Sequence, residues 1–100
     1  MRRLLLVLTV LAPAVAPAAA EEFGVLYPDQ GAEETYYTCA ACHSERLVAQ
    51  QGLTRHAWDE LIDWMVEDQG MAEPDAELRT TILDYLSTHY NTDRPHFPLR

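Results

Sequence analysis

Two cysteines and a histidine stand within five consecutive residues, Cys39-Ala40-Ala41-Cys42-His43, and the chain has no other cysteine. This C-x-x-C-H spacing is typical of covalent haem attachment. Thiols three residues apart lie about one helical turn apart, so both can add to the two vinyl groups of one haem. The adjacent His43 can donate a ring nitrogen to the iron as the proximal axial ligand. The motif therefore predicts one haem c, held by Cys39 and Cys42 and bound through iron by His43.

Other chemistries of these residues fit the chain less well. A thioredoxin-like redox pair needs flanking strands, and the sequence around the motif has no strand pattern. A structural zinc site needs four ligands, and Cys39, Cys42 and His43 supply three. A plain disulfide between Cys39 and Cys42 stays open in an oxidising compartment. The haem interpretation is preferred because the motif, an export signal and a small core all agree with it.

The first 20 residues are expected to be a cleaved signal peptide. Arg2 and Arg3 form a charged start, residues 4–11 are an apolar run, and alanines at 18–20 offer a cleavage site. The apolar run is too short for a spanning helix and prolines follow it. The sequence therefore predicts a periplasmic protein, which agrees with C-x-x-C-H haem attachment on the outer side of the bacterial cytoplasmic membrane.

The chain that remains after cleavage is small and acidic. It has about 80 residues, which is little for a core made of side chains alone, and a buried haem would add apolar mass. It holds five arginines, no lysine and all 16 carboxylates, a net charge of −11. Nucleic acid and anionic membrane surfaces are therefore poor partners, and a redox protein with a basic docking patch is a better one.

Three main helices are expected after an extended start at residues 21–30. The first runs from about residue 32 into the motif and packs through Tyr36, Tyr37 and Ala40. Residues 44–53 are expected to form a loop at the haem edge, with Leu47 and Val48 on the ring. Patterns of spacing and capping then predict a middle helix at about 55–68, capped by Thr54 and ended by Gly70, a last helix at about 74–90, and an irregular tail at 92–100.

The fold class predicted from these elements is all-α, with three main helices wrapped around one covalently bound haem. Residues 21–91 form the domain. In the middle helix Trp58, Leu61, Ile62 and Met65 make one apolar stripe. Trp58 is expected to pack on the haem, and Trp64 falls off the stripe.

The chain resembles small single-haem class I cytochromes c, and more narrowly the cytochrome subunits of bacterial sulfite dehydrogenases. The similarity covers nearly all of residues 31–90. It rests on glycine and glutamate at 31 and 33, Cys39-x-x-Cys42-His43-Ser44, Trp58 with Met65 seven residues later, Gly70, and Tyr85-Leu86. The resemblance implies a cytochrome c fold and periplasmic electron transfer with a molybdenum enzyme or another dehydrogenase.

The resemblance also implies a methionine as the sixth iron ligand. Met71 follows the Gly70 stop, in the loop where class I cytochromes usually present their methionine. Met65 lies seven residues after Trp58, where the resembling short cytochromes carry theirs. We expect Met65 to bind the iron, with Met71 as the alternative, although a methionine on an apolar stripe is often an ordinary core residue.

The remaining polar candidates have weaker support. His56, His89 and His96 are further possible iron ligands, and His89 is the one expected to face the core stripe. Arg46 and Arg55 are candidates to pair with the haem propionates; solvated surface arginines explain them equally well.

The function predicted from the sequence is electron transfer by a protein that is not itself an enzyme. With His43 and a methionine both bound, the iron has no open position for a substrate. The alternatives are a haem-based sensor or small-ligand-binding haem protein with an open sixth position, and the haem subunit of an oxidoreductase complex.

Overall fold

The computed structural model describes residues 3–13 and 22–99, and its regular secondary structure is all-α. In order along the chain the helices are α1 (Ala32–Cys39), α2 (Glu45–Ala49), α3 (Arg55–Gln69) and α4 (Ala76–His89). Within the described ranges there is no strand, which confirms the all-α prediction. None of the helices in those ranges is long and apolar enough to cross a membrane.

The predicted leader falls partly on described residues. Residues 3–13 have no helix or strand, and the large apolar side chains between residues 4 and 11 are exposed. The proposed cleavage site at residues 18–20 lies outside the described residues. The expectation of a signal peptide therefore stays a prediction.

The limits of α3 follow from its capping residues, as predicted. The Thr54 side chain accepts a hydrogen bond from the Ala57 N–H at 3.1 Å, which satisfies one of the free donors of the first turn. Gly70 ends the helix in the left-handed region at φ 72°, which glycine adopts at little cost.

Helix α4 begins two residues later than the sequence pattern predicts. Asp75 is its N-cap and accepts a hydrogen bond from the Leu78 N–H at 2.8 Å. Pro74 therefore lies before the helix instead of in its first turn. At the other end Tyr90 is the C-cap, with its N–H bonded to the Leu86 carbonyl at 2.8 Å.

Two further stretches differ from prediction. The expected loop at residues 44–53 contains α2, because Ser44 caps it by accepting the Arg46 N–H at 3.2 Å. The expected extended stretch before α1 is a set of turns instead, closed by a hydrogen bond from the Leu26 N–H to the Phe23 carbonyl. Leu26 is almost completely buried there.

Helix α4 is the central element of the packing. It contacts both α1 and α3, and α1 also contacts α2, whereas α1 and α3 do not pack on each other among these described helices. Arg79 joins α4 to α3 through ion pairs of 2.7 Å with Asp59 and Asp63. A space therefore remains between α1 and α3.

Small residues of α1 face α4. The buried positions of α1 are Ala32, Thr35 and Cys39, whereas Tyr36 is half-buried and Tyr37 is 66% exposed. The expectation that both tyrosines pack inward is therefore wrong for Tyr37. Small side chains at this contact let the two helices approach closely.

The C-terminal segment, defined as residues 91–99, has no helix or strand but packs on the domain. The Arg94 guanidinium donates to the Gln50 carbonyl at 2.9 Å, and Leu99 packs against the core. His96 is half-buried. Arg100 lies outside the described residues.

Candidate functional site

A cleft of about 520 Å³ lies between the motif and helix α3. Helices α1 and α2 and the turn between them line one part of it, α3 lines another, and α4 contributes Leu86. The structure places every residue predicted for the haem site in its lining: Cys39, Cys42, His43, Met65 and Met71. Residues separated by more than 30 positions in the sequence are thus brought to one site.

The two cysteines differ in their surroundings. Cys39 is the last residue of α1 and is buried, whereas Cys42 lies in the following turn and is exposed; both are free thiols. Burial raises the pKa of Cys39 to about 11, because the thiolate is disfavoured away from water. A dithiol redox pair needs a thiol whose pKa is lowered, so the surroundings of Cys39 argue against that chemistry.

His43 is held in a form suited to binding a metal. Its Nδ1 lies 3.1 Å from the Ser44 carbonyl oxygen. Because a carbonyl only accepts, Nδ1 carries the hydrogen in this bond and the neutral ring keeps its lone pair on Nε2. Histidine ligands of metals commonly have their second ring nitrogen bonded in this way. The ring is half-buried and lines the cleft.

Helix α3 supplies an apolar wall. The cleft is lined by side chains spaced three, four or seven residues apart along α3, which places them on one face of the helix. They are Trp58, Leu61, Ile62, Met65 and Gln69. Trp58 and Ile62 are each only 2% exposed. The Trp58 indole N–H donates to the Tyr90 carbonyl at 2.9 Å. This bond fixes the indole between the cleft and the end of α4.

The two candidate methionines lie at the same end of the cleft wall. Met65 is in the last turns of α3, and Met71 follows the Gly70 cap; both are half-buried. The Met71 N–H donates to the Met65 carbonyl at 3.0 Å. Both thioethers are therefore available to one group in the cleft.

The cleft suits a large, mostly apolar cofactor. Its volume is within the range of about 300–1,000 Å³ that is usual for cofactor sites. The side chains that line it are mainly hydrophobic, and two thiols, an imidazole and two thioethers are among them. No group of three or more His, Cys, Asp or Glu side chains suited to hold a bare metal ion occurs in the described part of the chain. The donor set thus fits haem.

The other polar candidates lie outside the cleft lining. Arg55 donates to Asp84 at 2.6 Å and to the Ser87 hydroxyl, on α4, and Arg46 does not line the cleft. His56 is exposed and lies 3.0 Å from Glu60. The pairing of Arg55 with a propionate is therefore not supported by this arrangement.

His89 and His96 belong to a second site that the sequence reasoning missed. They contact each other, and His89 also contacts Asp29; none of the three lines the cleft. Asp29 precedes His89 by 60 residues, so no local pattern connects them. Only the position of His89 on the inward face of α4 was a usable signal.

Comparisons of the chain with protein-family models, with curated proteins and with solved structures found no match. The residues of the cleft are therefore the features that indicate a function.

Proposed function

We propose that this protein is a c-type electron-transfer protein that carries one covalently attached haem in the cleft. The observation that carries the proposal is the convergence of both cysteines, His43 and two methionines on one apolar site. Cys39 and Cys42 would hold the haem through thioether bonds, and His43 would bind the iron through Nε2. When bound, the haem supplies a one-electron couple between ferrous and ferric iron.

The protein's own residues control access and ligation. Trp58, Ile62 and Leu86 present apolar surface to the cleft and exclude water from it. Such a surface raises the cost of charge at the iron and so influences its reduction potential. The Ser44 carbonyl orients His43 by accepting the Nδ1 hydrogen.

We propose Met65 as the sixth ligand, with Met71 as the alternative. Met65 shares a rigid helical face with Trp58, and sites on helices are held more firmly than sites on loops. Met71 follows the end of that helix and is tied to it by one backbone bond. If His43 and one methionine hold the iron, no position would be open to a substrate, and the haem would supply electron transfer without substrate chemistry.

The fold proposed for this function is that of a small class I cytochrome c. Support comes from the packing of α1, which ends at the first cysteine of the motif, on the last helix α4, and from the placement of α3 along the cleft. The additional helix α2 extends the motif side of the cleft through Leu47 and Val48.

The partner proposed is a redox protein with a basic docking patch, such as a molybdenum sulfite dehydrogenase or another periplasmic dehydrogenase. The charge of the exported chain supports this. Trp64 and Leu47 line the cleft and are 50% and 49% exposed, so they offer apolar contacts at its edge. Carboxylates at Glu60, Glu67 and Asp68 lie one turn from Trp64 along α3.

Covalent haem is the direct test. The chain expressed in a bacterium with its haem-attachment machinery should gain the mass of one haem, and acid–acetone should not extract it. His43→Ala should lose the normal low-spin spectrum. His56→Ala is the matched control, since His56 is exposed and lies outside the cleft lining, and it should keep that spectrum.

A chain that gains no haem mass, or whose haem is extractable, would overturn the proposal. Carbon monoxide separates an electron carrier from a haem sensor. The reduced protein should bind it slowly or not at all if both axial positions are occupied by the protein.

A further inference from the structure

A second group of polar side chains lies where both ends of the domain meet α4. We call Asp29, His89 and His96, with the ring of Tyr27, the histidine cluster. Asp29 and Tyr27 precede α1, His89 is the last residue of α4, and His96 is in the C-terminal segment. None of the four lines the cleft. The cluster therefore joins three separate parts of the chain.

A continuous hydrogen-bond chain runs through the cluster. His89 Nε2 lies 2.8 Å from Asp29 Oδ2, and His89 Nδ1 lies 3.0 Å from His96 Nε2. His89 is 9% exposed. The central imidazole thus has both nitrogens engaged, one by a carboxylate and one by a second imidazole.

Stacking holds the same rings together. The Tyr27 ring lies parallel to His96, with centroids 4.1 Å apart at 14°, and also stacks on His89 at 4.7 Å. The Tyr27 backbone is itself fixed, because its N–H donates to the Tyr90 hydroxyl at 2.9 Å and its carbonyl accepts from the Tyr85 hydroxyl at 2.7 Å. His96 is therefore docked against a rigid surface.

The number of protons on the two imidazoles decides whether this chain of bonds can exist. A carboxylate only accepts, so His89 Nε2 carries a hydrogen. With no extra proton, His96 Nε2–H donates to His89 Nδ1. With one extra proton, one facing hydrogen remains for the bond, whichever ring is the cation. With two, both facing nitrogens carry hydrogens, the bond is lost, and two cations stand in contact.

The surroundings lower the pKa values of two members of the cluster. The pKa of Asp29 is lowered mainly by its hydrogen bond to His89. Burial and the charge of His89 lower the pKa of His96. A proton added to His96 is therefore disfavoured while the C-terminal segment is docked.

Within residues 3–13 and 22–99, the other titratable groups around the pair do not supply a second anion at close range. Asp84 on α4 lines a groove with Asp29 and His89 but is paired with Arg55. Burial raises the pKa values of Tyr85 and Tyr90, which stay neutral phenols. Arg94 in the C-terminal segment is directed to Phe97 and the Gln50 carbonyl.

We propose that the histidine cluster is a pH-sensitive latch that docks the C-terminal segment on the domain and releases it when both imidazoles are protonated. A histidine whose folded-state pKa is lowered contributes stability above its unfolded pKa of about 6.5, and this is lost as pH falls. The latch is thus closed at neutral pH and opens in mild acid.

The test is backbone order along the whole chain, measured by nuclear magnetic resonance relaxation across a pH series. In the wild-type protein residues 95–99 should have rigid order parameters near pH 7.5. In mild acid these should fall below about 0.6, a value typical of flexible backbone. Helices α3 and α4 should keep their order over the same range.

Two variants separate the latch from general acid sensitivity. His96→Phe keeps a ring to stack on Tyr27 but takes no proton, so its segment should show no pH-dependent loss of order. His56→Gln removes an exposed histidine outside the cluster and should behave as the wild type.

The imidazole resonances provide a second measurement that does not depend on a variant folding. Both imidazoles should be protonated where the segment has lost its order. A segment that keeps its order after both imidazoles are protonated, or a His96→Phe protein with the wild-type transition, would overturn the proposal.

Discussion

The two faces of the protein along α4 are built in opposite ways. On one, Leu86 borders a cleft of about 520 Å³ whose lining is mainly apolar. On the other, Tyr85 and His89 contact tyrosine and histidine rings, and the imidazoles and the hydroxyls of Tyr85 and Tyr90 are hydrogen-bonded. The face with the histidine cluster is closed by the chain's own side chains. At the cleft, α1 and α3 do not contact each other.

This difference shows how a small domain can divide its tasks. Hydrogen bonds in the histidine cluster connect the segment before α1 and the C-terminal segment to α4. These bonds hold both segments in place without a large hydrophobic core. The cleft face then depends on what the proposed haem adds, since a domain as small as residues 22–99 buries a limited apolar area. Stability should therefore respond strongly to changes at the cleft and weakly to changes at the cluster.

The largest effect is expected from removing both covalent anchors. Cys39→Ala with Cys42→Ala should abolish haem attachment and leave the chain largely disordered, because ordering each residue costs roughly 1–2 kcal/mol and little else offsets it. Circular dichroism during heating measures this. A cooperative thermal transition in the double variant would show that the cleft face, like the face with the histidine cluster, folds without haem.

The next effect concerns Met65, the proposed sixth ligand on α3. Met65→Leu keeps the side-chain volume nearly constant but removes the sulfur. The haem protein should then lose the long-wavelength sulfur-to-iron absorption band, and its reduction potential should drop. Met71→Leu is the matched control and should keep both. The reverse pattern would assign the iron to Met71.

An intermediate effect is expected where the two faces meet. Trp58→Phe removes the indole N–H that binds the Tyr90 carbonyl, and that carbonyl keeps its bond from the Leu53 N–H. The loss should be about 1 kcal/mol for the hydrogen bond, plus lost packing. Denaturant unfolding of the haem protein measures it. Trp64→Phe, at a half-exposed position, should stay within about 0.5 kcal/mol.

The smallest effect is expected at the cluster. Because the pKa of His96 is lowered in the folded protein, protonation favours the unfolded state. The free energy of unfolding should therefore decrease as pH falls below about 6.5. His96→Phe should flatten this dependence in denaturant titrations at several pH values. An equally steep pH dependence in the variant would assign it to other groups.

The parts of the fold that were predictable have local causes. Thr54 and Gly70 mark the ends of α3 by side-chain and backbone chemistry that acts within one turn. The stripe from Trp58 to Met65 follows from helical spacing, and it does line the cleft. The C-x-x-C-H motif is a local pattern too, and its assignment to haem stays a prediction.

The parts that were missed depend on distant contacts or on very short elements. Helix α2 has five residues, too few for a periodic pattern, although Ser44 before Glu45 was a usable capping signal. Thr35 is buried instead of Tyr37 because α4 lies against that face of α1. The link between Asp29 and His89 spans 60 residues.

The surroundings of Gly31 predict that related proteins should keep a glycine at this position. Its φ is +93°, and a Cβ there would lie 2.8 Å from the Tyr85 Cβ and 3.2 Å from the Thr81 carbonyl. Any side chain would be strained by its own backbone and would also push the start of α1 away from α4. A glycine eight residues before the first cysteine should therefore persist in relatives that have diverged at most other positions, and it can help to identify them.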